Sequence, residues 1–135
     1  MRKSIIAAAL ALTVLCTGAL ADFNDVPGDA WYAEAVSWAQ ENGIMDSVAE
    51  GVFEPDGAVT RAMFVTMLYR LAGEPAVSGT ITAPDASSVS TWAQSAMTWA
   101  MNIGLVEGDE NGAVTPTAIA TRAQAAALIM RYLES

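Results

Sequence analysis

The second half of this chain repeats the first. Laid over itself at a shift of 61 residues without gaps, the sequence places Trp31 on Trp92, Ala35 on Ala96, Trp38 on Trp99 and Ala39 on Ala100. Gly43 falls on Gly104, Gly51 on Gly112, Pro55 on Pro116, Thr60-Arg61-Ala62 on Thr121-Arg122-Ala123, and Arg70 on Arg131. These are 11 identities in 44 aligned positions, where chance at ordinary composition leaves roughly 3 or 4. A fixed period of this kind marks a repeat architecture, in which each unit buries its apolar face against a neighbour. Residues 74–83, rich in Ser, Thr, Gly, Ala and Pro, read as a linker between a first repeat at 22–73 and a second at 84–135.

Residues 1–21 stand outside the repeat. Arg2 and Lys3 precede an uncharged apolar run from Ile5 to Leu20, and Ala19-Leu20-Ala21 closes it. Basic, then apolar, then A-x-A is the pattern of a secretory signal peptide, with cleavage expected after Ala21. The run is shorter than the ~20 residues a membrane span needs, so no stable span is expected after cleavage. A lipid anchor on Cys16 is disfavoured by Leu15 before it. The mature chain then holds four arginines against fifteen acids, a net charge of −11, and no cysteine. Its stability has to come from an apolar core without a disulfide.

Each repeat reads as helix, loop, helix, so the expected fold is all-α: two tandem helix-loop-helix units packed as a small bundle. Trp31, Ala35, Trp38 and Ala39 share one helical face. Asp29 is the expected N-cap of that helix and Gly43 its stop. Gly51, Pro55 and Gly57 mark the loop, with Phe53 as its buried anchor. Thr60 caps a second helix with the stripe Phe64, Met67, Leu68 and Leu71; Gly73 ends it, and Pro75 blocks its continuation. The second repeat follows the same plan: Trp92, Ala96, Trp99 and Ala100 to Gly104, then Thr121 capping a helix with the stripe Ala125, Leu128, Ile129 and Tyr132.

Composition excludes several functions. The acidic excess argues against nucleic-acid binding, which needs clustered Lys and Arg. The chain has no His and one Cys, which leaves no recognisable zinc or copper site and no base for a Ser-His-Asp or Cys-His arrangement. Glu107-x-Asp109-x-Asn111-Gly112 resembles the start of a calcium loop, but Ala118 stands where the bidentate Glu belongs. No cofactor or metal is expected. Chance carboxylate pairs do not make a glycosidase, and the chain is read as a non-enzyme.

The ordered set Phe23-x-Asp25-Val26, Trp31, Ala35-Val36, Ala39, Gly43, Gly51, Phe53-x-Pro55 and Thr60-Arg61-Ala62 resembles the S-layer homology (SLH) domain. Asp85, Trp92, Ala96, Ala100, Gly104, Gly112, Pro116 and Thr121-Arg122-Ala123 carry it again in the second repeat. The resemblance covers Phe23 to about Leu133. It implies noncovalent anchoring to the bacterial cell wall by binding secondary cell-wall polysaccharide, often pyruvylated, in a secreted protein held at the cell surface. It also implies three tandem units forming one bundle, with the signature Arg in the grooves between them. With two repeats, the partner expected to complete such a bundle is a second copy or another SLH protein. An alternative is a secreted protein-interaction module that assembles with SLH proteins without holding glycan itself.

The candidate glycan-binding residues are Arg61 and Arg122, whose planar forks suit a carboxylate, and the caps Thr60 and Thr121, which place each Arg at a helix N-terminus where backbone N–H groups favour anions. Trp31 and Trp92 open their helices and are candidates for stacking on sugar; Trp38 and Trp99 are expected in the core. Asp25 and Asp85 complete the set, with loop ordering as their plainer role. Arg70 and Arg131 lie near helix C-termini, where a cation is favoured in any case. The family signature usually has Glu where Met63 and Gln124 stand, which puts the strength of both sites in question. Ala83 and Val114 replace the family's aromatic residues in the second repeat.

Overall fold

The structure, a computed structural model, describes residues 23–135; the expected signal peptide lies outside the described residues. The described chain is all-α, with four α-helices, two 3-10 turns and two isolated β-bridges. It divides into two compact units, the first ending at Pro55 and the second running from Asp56 to Ser135. The division falls inside the first repeat, so that repeat's second helix shares a compact unit with the whole second repeat.

In the first unit, α1 spans Ala33–Glu41 and buries Val36 and Ala39. It starts later than the Asp29 cap requires. The Ala30 N–H donates to Pro27 O and the Ala33 N–H to Ala30 O, so Asp29 lies inside one turn and a second follows before the helix. Tyr32 takes the cap position and its side chain makes no capping bond. Trp31 is left in the lead-in, 92% exposed. The stop is where Gly43 places it. Gly43 has φ +67°, its N–H donates to Gln40 O, and the Ile44 N–H reaches back to Ala39 O. These paired bonds satisfy the last carbonyls and need a left-handed residue. Phe23 is buried, and its ring lies 5.1 Å from that of half-buried Phe53.

In the second unit, α2 (Arg61–Leu71) packs on α3 (Gln94–Asn102) and α4 (Arg122–Glu134). Short 3-10 turns at Ala86–Ser88 and Thr91–Ala93 lead into α3. The core joins Ala62, Val65 and Leu68 of α2 to Ala96, Met97, Trp99 and Ala100 of α3, with Leu105, Val106, Val114 and Leu128 around them. The rings of Tyr69 and Tyr132 flank Trp99 at 5.5 and 6.2 Å. Thr66 and Thr98 carry the buried hydroxyls, and each donates to a carbonyl one turn back, Ala62 O and Gln94 O, at 2.7 Å. Residues 74–83 lie along this unit: Tyr69 Oη donates to Pro75 O, Asn102 Nδ2 donates to Ser78 O, and Val77 and Ile81 pack against the core.

Three burial expectations are corrected. Trp99 is 8% exposed, as a core residue should be, but its repeat mate Trp38 is 55% exposed. The difference is the neighbourhood: Trp99 is flanked by Tyr69 of α2 and Tyr132 of α4, whereas α1 is the single helix described in its unit. On α2 the buried residues are Ala62, Val65, Thr66 and Leu68, and Leu71 of the expected stripe is exposed. The face is set by α3 and the loop in front of it, not by the longest side chains. On α4 only Leu128 is buried, and Ile129 is exposed.

Met97→Ala, at a fully buried position, will destabilise the fold by about 2–5 kcal/mol through a core cavity. Met130→Ala, on the exposed side of α4, will change stability by less than about 0.5 kcal/mol. Urea denaturation of dilute protein compares the two.

Candidate functional site

Each repeat carries the same loop, and one carboxylate orders it. Asp25 accepts the Phe53 N–H at 2.9 Å and the Glu54 N–H at 2.7 Å. Asp85 accepts the Val114 N–H at 2.9 Å and the Thr115 N–H at 2.8 Å. The second residue of each pair has a left-handed backbone, Glu54 at φ +57° and Thr115 at φ +45°. Such a conformation in a non-glycine residue persists only when its surroundings impose it, and the carboxylate does so by gripping two successive N–H groups. These bonds to the charged form hold both carboxyls below their ordinary value. For Asp85 the Val114 N–H is the main cause, and the positive charge of Arg61 adds to it. Both candidate aspartates are thus engaged by backbone.

The loop ordered by Asp85 meets the N-terminus of α2. The Arg61 N–H donates to Ala118 O at 2.9 Å and the Ala62 N–H to Pro116 O at 3.0 Å. The Met63 N–H donates to Thr60 Oγ1 at 3.1 Å. The Ala120 N–H donates to Val59 O, and Thr60 pairs with Ile119 in an isolated bridge. The first three N–H groups of α2 are therefore occupied, and none is left for an anion there. The Arg61 side chain lies half-buried in the same junction, its Nε donating to Val114 O at 3.1 Å. That bond fixes one edge of the guanidinium. Its two terminal nitrogens have no protein acceptor among the described residues.

At α4 the backbone cap is the same and the surroundings differ. Thr121 Oγ1 accepts the Gln124 N–H, and Gln124 Oε1 accepts the Thr121 N–H, both at 3.2 Å. At α2 the reciprocal acceptor is the thioether of Met63, at 3.5 Å from the Thr60 nitrogen. Both boxes close without Glu, one through an amide and one through a weaker acceptor. Arg122 is exposed, and no described residue accepts from its backbone N–H, from that of Ala123, or from its guanidinium.

The remaining candidates are spread out. Trp92 is exposed on the Thr91–Ala93 turn, which packs against α2. Trp31, in the other unit, makes an edge contact with Tyr32 at 5.4 Å. Arg131 Nη1 donates to Leu105 O, joining α4 to the end of α3. Asp109 is held by its own loop, accepting from the N–H groups of Asn111 and Ala113. One feature had no signal in the sequence: a cleft of about 400 Å³ between residues 77–81 and α3, lined by Val77, Thr80, Ile81, Gln94, Ser95 and Thr98. It has no charged lining residue and excludes Arg61, so it offers a carboxylate no opposite charge.

Known proteins place this geometry. The S-layer homology domain family matches residues 22–63 and 84–126, once per repeat. The surface-layer 125 kDa protein of Lysinibacillus sphaericus is 34% identical over 120 residues, which is 84% of this chain and 10% of that protein. A cell surface protein of Thermoanaerobacter kivui is 33% identical over 132 residues, 93% of this chain and 17% of that protein. The cellulosome-anchoring protein of Acetivibrio thermocellus is 29% identical over 115 residues, 83% of this chain and 26% of that protein. The chain thus spans a small part of the relatives it matches, and the shared part is this module. Among the described residues no helix is long and apolar enough to cross a membrane.

The loop carboxylates set a pH dependence with a definite sign. A carboxyl whose folded value lies below its unfolded value near 3.8 contributes stability that is present above that value. The contribution is lost as pH falls through the lower, folded value. Asp25→Asn/Asp85→Asn will lower the thermal midpoint at pH 7 and flatten its fall between about pH 5 and 3, measured by circular dichroism melts across that range.

Proposed function

Because the chain belongs to the S-layer homology domain family, we propose that it anchors noncovalently to the bacterial cell wall by holding a carboxylate-bearing secondary wall polysaccharide at Arg61. The observation that carries this reading is the state of the Arg61 side chain. It is held at Nε by Val114 O in the junction between the repeats, while no described residue accepts from its terminal nitrogens, which leaves them to pair with a ligand. A guanidinium already fixed along one edge loses little further freedom on binding. Its fork matches the two oxygens of a carboxylate such as a pyruvyl ketal.

Because the α2 backbone N–H groups are occupied, the guanidinium supplies the positive charge itself. Trp92, exposed on the turn beside α2, offers an aromatic face for a sugar ring. Arg122, exposed at the start of α4 with no described acceptor for its guanidinium, supports a second, more open site. A mature charge of −11 slows the encounter with an anionic polymer, and local pairing then decides affinity. The surface-layer, cell-surface and cellulosome-anchoring names of the relatives agree with a module that attaches proteins to the cell exterior.

Co-sedimentation with purified sacculi, before and after acid extraction of secondary polymer, tests the reading. Pelleting should require the polymer. Arg61→Ala should weaken it by at least about tenfold, the loss expected for one charge-assisted pair. Arg61→Lys should restore only part, because it lacks the fork. Equal pelleting with extracted wall, or by folded Arg61→Ala, would leave partner binding as the function.

A further inference from the structure

Placing the two repeats over each other shows that parts of the surfaces buried where they meet recur, uncovered, elsewhere in the chain. On α2, Ala62, Val65 and Leu68 are buried against the second repeat. Their mates 61 residues on, Ala123, Ala126 and Ile129, are all exposed on α4. On α3, Ala96 and Trp99 are buried where α2 packs. Their mates, Ala35 and Trp38, are exposed on α1. The polar part of the interface recurs as well. The Arg61 and Ala62 N–H groups are met by Ala118 O and Pro116 O. The matching donors, the N–H groups of Arg122 and Ala123, meet no acceptor among the described residues, and Pro55, in the same unit as α1, carries the carbonyl that matches Pro116.

We infer that the α4 face of one molecule receives the α1 face and the 53–55 loop segment of a second copy of this chain, repeating between molecules the interface that α2 makes with α3 and the 114–116 segment. The occupant is specified by the structure's own precedent. α2 shows what fits a helix of this sequence pattern: a helix bearing Ala and Trp at the α3 positions, with a Pro-containing loop ordered by an aspartate. The first repeat presents that combination in α1, with Asp25 ordering its loop. Two different faces meet, so the contact is head-to-tail. It closes into a ring or extends by further copies, according to the rotation per step. The inference is independent of glycan binding, because neither face needs a ligand.

Sedimentation velocity of the purified protein from roughly 1 to 100 μM tests it. The expected result is a weight-average mass that rises with concentration. Ala126→Glu, which places a charge on the α4 face, and Ala35→Glu, which places one on the α1 face, should each weaken association at least about tenfold. Both positions are exposed and helical, so circular dichroism should be unchanged. Ala126→Lys and Ala35→Lys serve if either glutamate variant misfolds. The decisive arm is the mixture. Each variant keeps the face the other lacks, so a 1:1 mixture should form a heterodimer and stop there. A monomeric wild-type protein throughout the range, association unaffected by either substitution, or a mixture that stays monomeric would each overturn the proposal.

Discussion

The junction between the repeats depends on carbonyls from one repeat capping a helix in the other. An α-helix begins with N–H groups that have no partner within it. In α2 the first two are met by Ala118 O and Pro116 O, and the third by the Thr60 hydroxyl. The loop can present those carbonyls only in one shape, which depends on Thr115 staying in a left-handed conformation that Asp85 imposes through two backbone bonds. A surface carboxylate thereby reaches the helix start through the loop. This makes the second half of the first repeat inseparable from the second repeat and accounts for a compact unit that begins at Asp56.

The same arrangement sets up the binding chemistry proposed for Arg61. Arg61 is the first residue of α2, so its side chain leaves the helix where the loop arrives, and Val114 O catches its Nε. With the N–H groups spent on structure, specificity for an anion in that proposal rests on one side chain with a defined orientation. A longer-range attraction from the helix dipole persists, but it falls off within the first turn and is screened by salt. In the proposed site Arg61 is both interface member and ligand group, which links the two roles: whatever loosens the loop misplaces the guanidinium.

Much of this was legible in the sequence, for reasons that differ by residue. Thr60, Thr121, Gly43 and Gly104 act through their own backbone neighbours, and each did what local stereochemistry requires. The 61-residue shift carried the all-α repeat reading and the family resemblance. What could not be read was which face of each helix a neighbour would cover. Trp38 and Trp99 have the same spacing, flanking alanines and following glycine, yet only Trp99 has two helices beside it. The α2 stripe failed likewise: Phe64, Met67 and Leu71 are the bulkier side chains, but Ala62 and Val65 point at the loop and α3, where close approach favours small residues. Asp29 failed because Pro27 starts a turn of its own, and the chain needs four more residues before it becomes helical.

The residues that stand at the signature Glu position in both repeats close the helix caps. At the third helical position, Gln124 Oε1 does what a Glu oxygen would do, accepting the Thr121 N–H. Met63 does the same more weakly through sulfur. Neither side chain touches the arginine that precedes it by two residues, and residues two apart on a helix do not face each other. The weaker acceptor sits at the helix whose N-terminus is also held by Pro116 and Ala118 carbonyls, and the stronger one at the helix whose N-terminus is open. Capping strength therefore follows need: where the neighbouring repeat already satisfies the backbone, a thioether suffices, and where it does not, an amide is present.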